Sequence, residues 1–105
     1  MLDRTDDRCA KMPLFLIERQ FAELVPTDAE TAAVIKQVND EIGIQRLFSY
    51  LSADKRKTYC LYEAPDAAMI RAAARRIGIP ADTIVEVDGI GPYASAVAEA
   101  QRAVR

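Results

Sequence analysis

In the first apolar run of this chain, hydrophobic residues occupy odd-numbered and even-numbered positions alike. Residues 13–21 read Pro-Leu-Phe-Leu-Ile-Glu-Arg-Gln-Phe, so neither parity is polar in the first half of the run. Successive side chains of a strand point to opposite faces, and a run that is apolar on both parities is typical of a central strand with both faces covered. The pattern therefore predicts a central β-strand.

A helical period follows this strand. Thr27 and Glu30 match a capping box, in which a hydroxyl and a carboxylate satisfy free amides at the start of a helix. Apolar residues then recur at helical spacing, at Ala32, Ile35, Val38 and Ile42. Gly43 is suited to end the helix in a left-handed conformation. These signals predict a helix over residues 28–42.

The next two apolar runs have the composition of strands. Residues 44–53 and 57–64 are rich in aromatic and aliphatic side chains, and residues 54–56 between them are polar. Runs of this kind separated by a short polar segment are typical of paired strands. They predict a β-hairpin.

A second helix, a last strand and a tail helix complete the pattern. Asp66 is a suitable N-cap for an apolar stripe that ends before Gly78. Residues 83–87 alternate as a strand, and residues 93–104 have a composition that favours helix. The complete order is therefore strand, helix, strand, strand, helix, strand, followed by the tail helix.

This order predicts an α+β protein with a ferredoxin-like βαββαβ sandwich, in which two helices cover one face of a four-stranded antiparallel sheet. We expect a flexible leader over residues 1–12, one domain over residues 13–88 and a helical C-terminal tail over residues 89–105. A chain of 105 residues has room for one core.

The sheet face without helices, here called the open face, is expected to need a cover. The first and third predicted strands carry apolar or aromatic residues on both parities: Leu14, Phe15, Leu16 and Ile17, and Tyr59, Cys60, Leu61 and Tyr62. A large exposed apolar patch normally marks an interaction surface. We therefore expect a homodimer, in a dimeric α/β-barrel-like assembly that encloses a cleft. The alternative is that the tail helix alone covers this face.

Charge and composition narrow the range of partners. The formal charge is −2 and the two signs are mixed along the chain, so no basic face for a nucleic-acid backbone is expected. The run at 55–57 is interpreted as a solvated hairpin tip. No apolar stretch is long enough for a bilayer span, and the N-terminal residues do not form a secretory signal. We expect a cytoplasmic protein in which Cys9 and Cys60 are reduced thiols.

Several segments together resemble a known family. They are Leu-Ile-Glu-Arg at 16–19, Leu-Phe-Ser-Tyr at 47–50 with Asp54, Lys-Thr-Tyr-Cys-Leu-Tyr-Glu-Ala-Pro-Asp at 57–66, and Gly-Ile-Pro-Ala-Asp at 78–82 with Ile84. Over residues 13–87 the chain resembles a small bacterial family of unknown function that includes nickel-binding, nickel-responsive proteins. The resemblance implies a ferredoxin-like subunit that pairs into a dimer, with nickel as a possible cofactor.

Nickel binding does not transfer directly from this resemblance. The chain has no histidine, and imidazole is the expected nitrogen ligand of nickel. A site without histidine would have to use the Cys60 thiolate with carboxylates such as Glu18 and Glu63. The competing interpretation of Cys60 is a small core residue, because no histidine is available to activate its thiol.

Glu18 and Glu63 are also the candidate catalytic residues. Each interrupts an apolar strand near its carboxyl end, and we expect the first and third strands to be parallel neighbours that bring the two carboxylates together. Repulsion and burial would then raise the pKa of one of them and supply a general acid or base. The alternative is that each forms an ion pair at the rim of the sheet, with Arg19, Arg46 or Lys57.

Three functional classes remain open at this stage. The first is binding of a small ligand or metal ion in a cleft on the open face, with candidate ligand-binding residues Glu18, Tyr50, Tyr59, Tyr62 and Glu63 and candidate metal ligand Cys60. The second is a cofactor-independent enzyme, an isomerase or monooxygenase of the dimeric barrel type, that uses a carboxylate acid and base. The third is a purely structural interaction module.

Overall fold

The strands and helices follow one another in the predicted order. The computed structural model describes residues 12–23, 25, 28–91 and 94–103. Its elements are β1 (Leu14–Gln20), α1 (Ala29–Ile42), β2 (Gln45–Leu51), β3 (Lys57–Glu63), α2 (Ala67–Ile77), β4 (Thr83–Val87) and α3 (Ala94–Ala103). Residues 1–11 of the expected leader, and with them Cys9, lie outside the described residues, as does Thr27.

All neighbouring strands of the sheet are antiparallel. The order across the sheet is β2-β3-β1-β4. The prediction that β1 and β3 are parallel is therefore wrong. The crossover through α1 makes β1 and β2 run in the same direction, and the hairpin between β2 and β3 reverses that direction. The α+β arrangement of sheet and helices is consistent with a ferredoxin-like fold.

The hydrophobic core lies between the sheet and the first two helices. Phe15 and Ile17 of β1 and Cys60 and Tyr62 of β3 point to the same side of the sheet, where they pack with Ile44, Ala64, Ile70 and Ala73. Val38 and Ile42 of α1 pack against this cluster. Burial of apolar surface at this layer is the main source of stability for such a domain.

A β-bulge interrupts the pairing of β2 with β3. Arg46 lies opposite Tyr62, but Phe48 already lies opposite Leu61, so Leu47 is an extra residue in β2. An extra residue shifts the alternation of all later side chains by one position. Beyond the bulge, Ser49 shares the core side of the sheet with its partner Cys60.

The helix α2 is capped at both ends as its sequence predicts. The Asp66 side chain accepts a hydrogen bond from the Met69 amide at 3.0 Å, and Gly78 ends the helix in a left-handed conformation. At α1 the N-cap is Asp28, one residue later than the predicted Thr27, and its side chain accepts from the Thr31 amide.

We expect Asp66→Ala to lower the free energy of unfolding by about 0.5–2 kcal/mol, because the first amides of α2 lose their acceptor. Urea denaturation followed by circular dichroism measures the change. Asp66→Asn is the matched control, since asparagine also caps helices and should keep nearly all the stability. Equal losses in both variants would show that the cap is not the origin of the effect.

The helix α3 packs at one end of the open face. Gln101 is buried and its Nε2 donates to a carboxylate oxygen of Glu63 at 3.0 Å. The middle of this face carries exposed apolar side chains from three strands: Leu16, Phe48, Tyr50 and Val85. None of the helices in the described ranges is long and apolar enough to cross a lipid bilayer.

Candidate functional site

A cavity of about 250 Å³ lies between the N-terminal half of α1 and the core side of the sheet. We call it the helix-side cavity. Its apolar lining comes mainly from Phe21, Val25, Ala32, Ile35, Leu51 and Ile79. Polar lining groups come from Arg19, Asp28, Thr31, Arg46, Ser49, Tyr50, Thr58, Cys60 and Tyr62. A mainly apolar cavity with a few polar groups is the usual form of a small-molecule site.

The start of α1 forms one wall of the helix-side cavity. Asp28 accepts hydrogen bonds from the amide and the hydroxyl of Thr31, at 2.9 and 2.8 Å. These hydrogen bonds hold the pKa of Asp28 below its ordinary value. The carboxylate therefore stays ionised at neutral pH and is attracted to the positive end of the helix dipole. This attraction helps to hold the start of α1 in place at the cavity wall.

Arg19 is the buried cation of the cavity wall. It follows Phe15 and Ile17 on the core side of β1 and is only 4% exposed. Its Nη1 donates to the Pro80 carbonyl at 2.6 Å and its Nη2 to the Tyr62 hydroxyl at 3.5 Å. The guanidinium carbon is 5.8 Å from the centroid of the Tyr62 ring, within the range of a cation–π contact.

Three small polar side chains lie beside Arg19 on the same wall. Thr58 lies directly opposite Arg19 across the β1–β3 pair, and its Oγ1 is buried without a hydrogen-bond partner among the described residues. The Ser49 hydroxyl donates to the Cys60 sulfur at 3.1 Å. Cys60 is buried, as expected of a core residue, and also lines the cavity.

A second depression of about 420 Å³ lies at the other end of the sheet, between the start of β1 and α3. Leu14, Val87 and Gln101 contribute to its lining. Its buried amide, that of Gln101, already donates to Glu63. The helix-side cavity is the stronger candidate because a buried cation and a buried hydroxyl line it.

Comparison with known proteins identifies the family to which this chain belongs. A family model described as "Nickel responsive protein SCO4226-like" matches residues 15–87. The chain belongs to this family. A search of curated proteins finds no match. Among solved structures, the chain is similar to the crystal structure of SCO4226 from Streptomyces coelicolor A3(2), with 20% sequence identity and a TM-score of 0.64, over 74% of this chain and 99% of that one. This likeness supports the ferredoxin-like fold.

The three candidate nickel ligands do not meet in this member of the SCO4226-like family. Cys60 points to the core side of the sheet, whereas Glu18 and Glu63 belong to the opposite parity of the β1–β3 pair. Within the described part of the chain, no group of three or more cysteine, aspartate or glutamate residues is placed to hold a metal ion.

Glu18 and Glu63 are also far from each other. Because β1 and β3 are antiparallel, Glu63 lies opposite Leu14 and Glu18 opposite Tyr59, a separation of roughly 13 Å along the strands. Glu18 instead forms an ion pair with Lys57 at 3.2 Å, which raises the pKa of Lys57. The expected proximity of the two carboxylates is therefore wrong, and for Glu18 the alternative of an ion pair at the rim is correct.

The three candidate tyrosines are divided between the two faces. Tyr62 points to the core side and lines the helix-side cavity, where its hydroxyl accepts from Asn39 at 3.4 Å as well as from Arg19. Tyr50 and Tyr59 lie opposite each other on the open face, and only the mostly exposed Tyr50, on the edge strand, reaches the rim of the cavity.

The most important residues of the cavity, Arg19 and Thr58, are absent from the predicted site. The sequence pattern predicts Arg19 only as an ion-pair partner at the rim of the sheet. A signal was present, because Arg19 has the same parity as Phe15 and Ile17, and a cation on the buried parity of a strand needs a partner inside the protein. Because residues of both parities in β1 are apolar, the sequence pattern does not show which parity is buried.

Proposed function

We propose that this protein binds a small organic molecule in the helix-side cavity. The observation that supports this proposal is the cavity itself, which combines apolar walls with the buried guanidinium of Arg19 and the buried hydroxyl of Thr58. Its volume is slightly below the ~300–1,000 Å³ typical of sites for drug-sized ligands, which favours a ligand of metabolite size. The proposed site is thus on the opposite side of the sheet from the cleft that the sequence predicts.

Nickel is the second candidate, because the description of the family names a nickel-responsive protein. The chain has no histidine, and among the residues that the structure describes Cys60 and the two candidate carboxylates face opposite sides of the sheet. An organic ligand therefore ranks first. The enzyme alternative loses its support where it relies on a Glu18–Glu63 pair, since the two are far apart along the strands.

We also propose that two copies pair through the open face. Leu16, Phe48 and Val85 are exposed apolar residues on three different strands of this face. A second copy offers a matching apolar surface, and closed two-fold pairing is the commonest form of soluble oligomer. In this arrangement the helix-side cavities remain on the outer sides of the assembly.

Filling the cavity should abolish binding. Ser49 lines the cavity on the edge strand β2, so in Ser49→Trp we expect an indole ring to block the space that a ligand would occupy. The probes are benzoate and the neutral benzamide, titrated into labelled protein and followed by NMR. In the wild type we expect saturable shifts at Cys60 and Ile35, and in Ser49→Trp at least tenfold weaker binding.

Ser95→Trp on α3 is the matched control, because it adds the same ring at an exposed position outside the cavity and should bind both probes as the wild type does. The proposal fails if neither probe produces localised shifts in the wild type, or if Ser49→Trp binds them equally well. Saturable binding of NiCl₂ that Cys60→Ala removes would make nickel the first candidate instead.

A further inference from the structure

Arg19 is a buried cation for which the described part of the chain supplies no paired carboxylate. Burying a charge is costly unless it is paired, and arginine in a protein interior normally meets a carboxylate. Among the ion pairs of the described residues, none involves Arg19. Its partners are the Pro80 carbonyl and the Tyr62 hydroxyl, which use two of the five N–H donors of a guanidinium. The other donors have no hydrogen bond among the described residues, and Arg19 lines the helix-side cavity.

Thr58 adds a second donor at the same place. It is the cross-strand partner of Arg19, and its hydroxyl is buried with no hydrogen-bond partner in the described part of the chain. A buried hydroxyl without a partner is itself unfavourable, and it is rare in folded proteins. One acceptor between Arg19 and Thr58 would satisfy both groups.

The charges around the cavity favour an anion. Where its lining residues are described, the cavity has the guanidinium groups of Arg19 and Arg46 and one carboxylate, that of Asp28. The Asp28 carboxylate is exposed and engaged by Thr31 at the start of α1. Arg46 is also exposed, so Arg19 is the cation that a ligand would meet away from solvent.

We propose that the ligand of the helix-side cavity is a small carboxylic acid, bound as its carboxylate by Arg19 and Thr58, with its hydrocarbon part against Ile35, Leu51 and Ile79. This inference rests on the proposed function and adds the ligand class. A planar guanidinium binds a carboxylate through two parallel hydrogen bonds, and the Thr58 hydroxyl supplies a third donor. The apolar walls match a hydrocarbon body.

A phosphate would fit this cavity less well. It carries up to two charges and more oxygens to satisfy, whereas the mainly apolar wall offers, among the described residues, one buried guanidinium and one buried hydroxyl that has no partner. A carboxylate has one charge and two oxygens. The number of donors therefore favours the carboxylate.

Benzoate and benzamide test the carboxylate, because they have nearly the same shape, while benzamide is neutral and carries an NH2 donor in place of one carboxylate oxygen. In the wild type we expect benzoate to bind at least tenfold more tightly than benzamide, with the largest NMR shifts at Thr58 and at the Arg19 side chain. In Arg19→Gln we expect benzoate affinity to fall at least tenfold and benzamide affinity to change by less than twofold. Arg19→Lys, which keeps the charge but not the fork of donors, should bind benzoate with intermediate affinity.

The outcomes separate this inference from the proposed function. If the two probes bind the wild type equally in the cavity, and Ser49→Trp removes both, the function stands and the carboxylate inference is overturned. If neither probe binds, both the proposed function and the carboxylate inference are overturned.

A purely structural role of Arg19 predicts equal losses of affinity for both probes in Arg19→Gln. Should that variant not fold, the ratio of benzoate to benzamide affinity in the wild type decides whether the carboxylate inference stands. Displacement of benzoate by inorganic phosphate at equal concentration would overturn the carboxylate in favour of phosphate.

Discussion

Replacing Ile17 with alanine is expected to lower the free energy of unfolding by about 2–5 kcal/mol. Ile17 is 0% exposed at the centre of the core and lies opposite Cys60 on β3 and Ile84 on β4. Its removal deletes buried methyl groups and leaves a void between sheet and helices that cannot fully collapse. A domain of this size has only about 5–15 kcal/mol of total stability, so the loss is a large fraction of it.

The control for this prediction is another β-branched residue in an exposed position. Val34 on α1 is 47% exposed, and Val34→Ala should change the stability by less than about 0.5 kcal/mol. Urea denaturation of both variants, followed by circular dichroism, gives the comparison. If both variants lost the same free energy of unfolding, Ile17 would not lie in the hydrophobic core.

Replacing Leu16 with aspartate should turn a dimer into a monomer. Leu16 is adjacent to Ile17 but points to the open face, where it is 40% exposed in the single chain and lies opposite Leu61 and Val85. If two copies pair through this face, a carboxylate from each copy enters an apolar interface, which should raise the dissociation constant roughly 100-fold or more. Light scattering at several concentrations measures the mass.

The matched control for pairing is Val34→Asp, which introduces the same charge at a similarly exposed apolar residue on the helix side of the molecule. We expect it to remain a dimer. A wild-type protein that is monomeric at tens of micromolar would contradict the pairing proposal at once. Loss of the dimer in both variants would indicate a general effect of charge or an interface elsewhere.

Elements with local signals are the ones that the sequence predicts well. The helix α2 ends before Gly78, which has the predicted left-handed conformation, and begins after the predicted cap Asp66. The strand β4 has the predicted bounds, and the polar segment around Asp54 forms the hairpin turn, where Ser52 and the Arg56 amide donate to its carboxylate and lower its pKa. Caps and turns depend on a few neighbouring residues, so they can be identified without the tertiary structure.

The candidate site depends on non-local relations and was predicted less well. The direction of β3 relative to β1 is decided by the α1 crossover and the hairpin together, and the error in it placed Glu18 beside Glu63. The apolar character of both parities of β1 left open which face receives the helices, so a cation on the core side was not recognised. Tyr62 and Cys60, which the sequence analysis assigns to a cleft on the open face, line the helix-side cavity on the other side of the sheet. The cavity itself is a gap between layers, which no pattern along the chain encodes.

The bulge at Leu47 has a consequence for relatives of this protein. If the same residues paired regularly, without the bulge, Leu47 would lie opposite Leu61 and Phe48 rather than Ser49 would lie opposite Cys60, so that its ring would point into the space where the cavity now is. One irregular pairing therefore decides whether the gap is open or filled. Homologues with a strand of this length should divide into those that keep the bulge and the binding space and those that pair regularly and have closed it, even where the residues around it are identical.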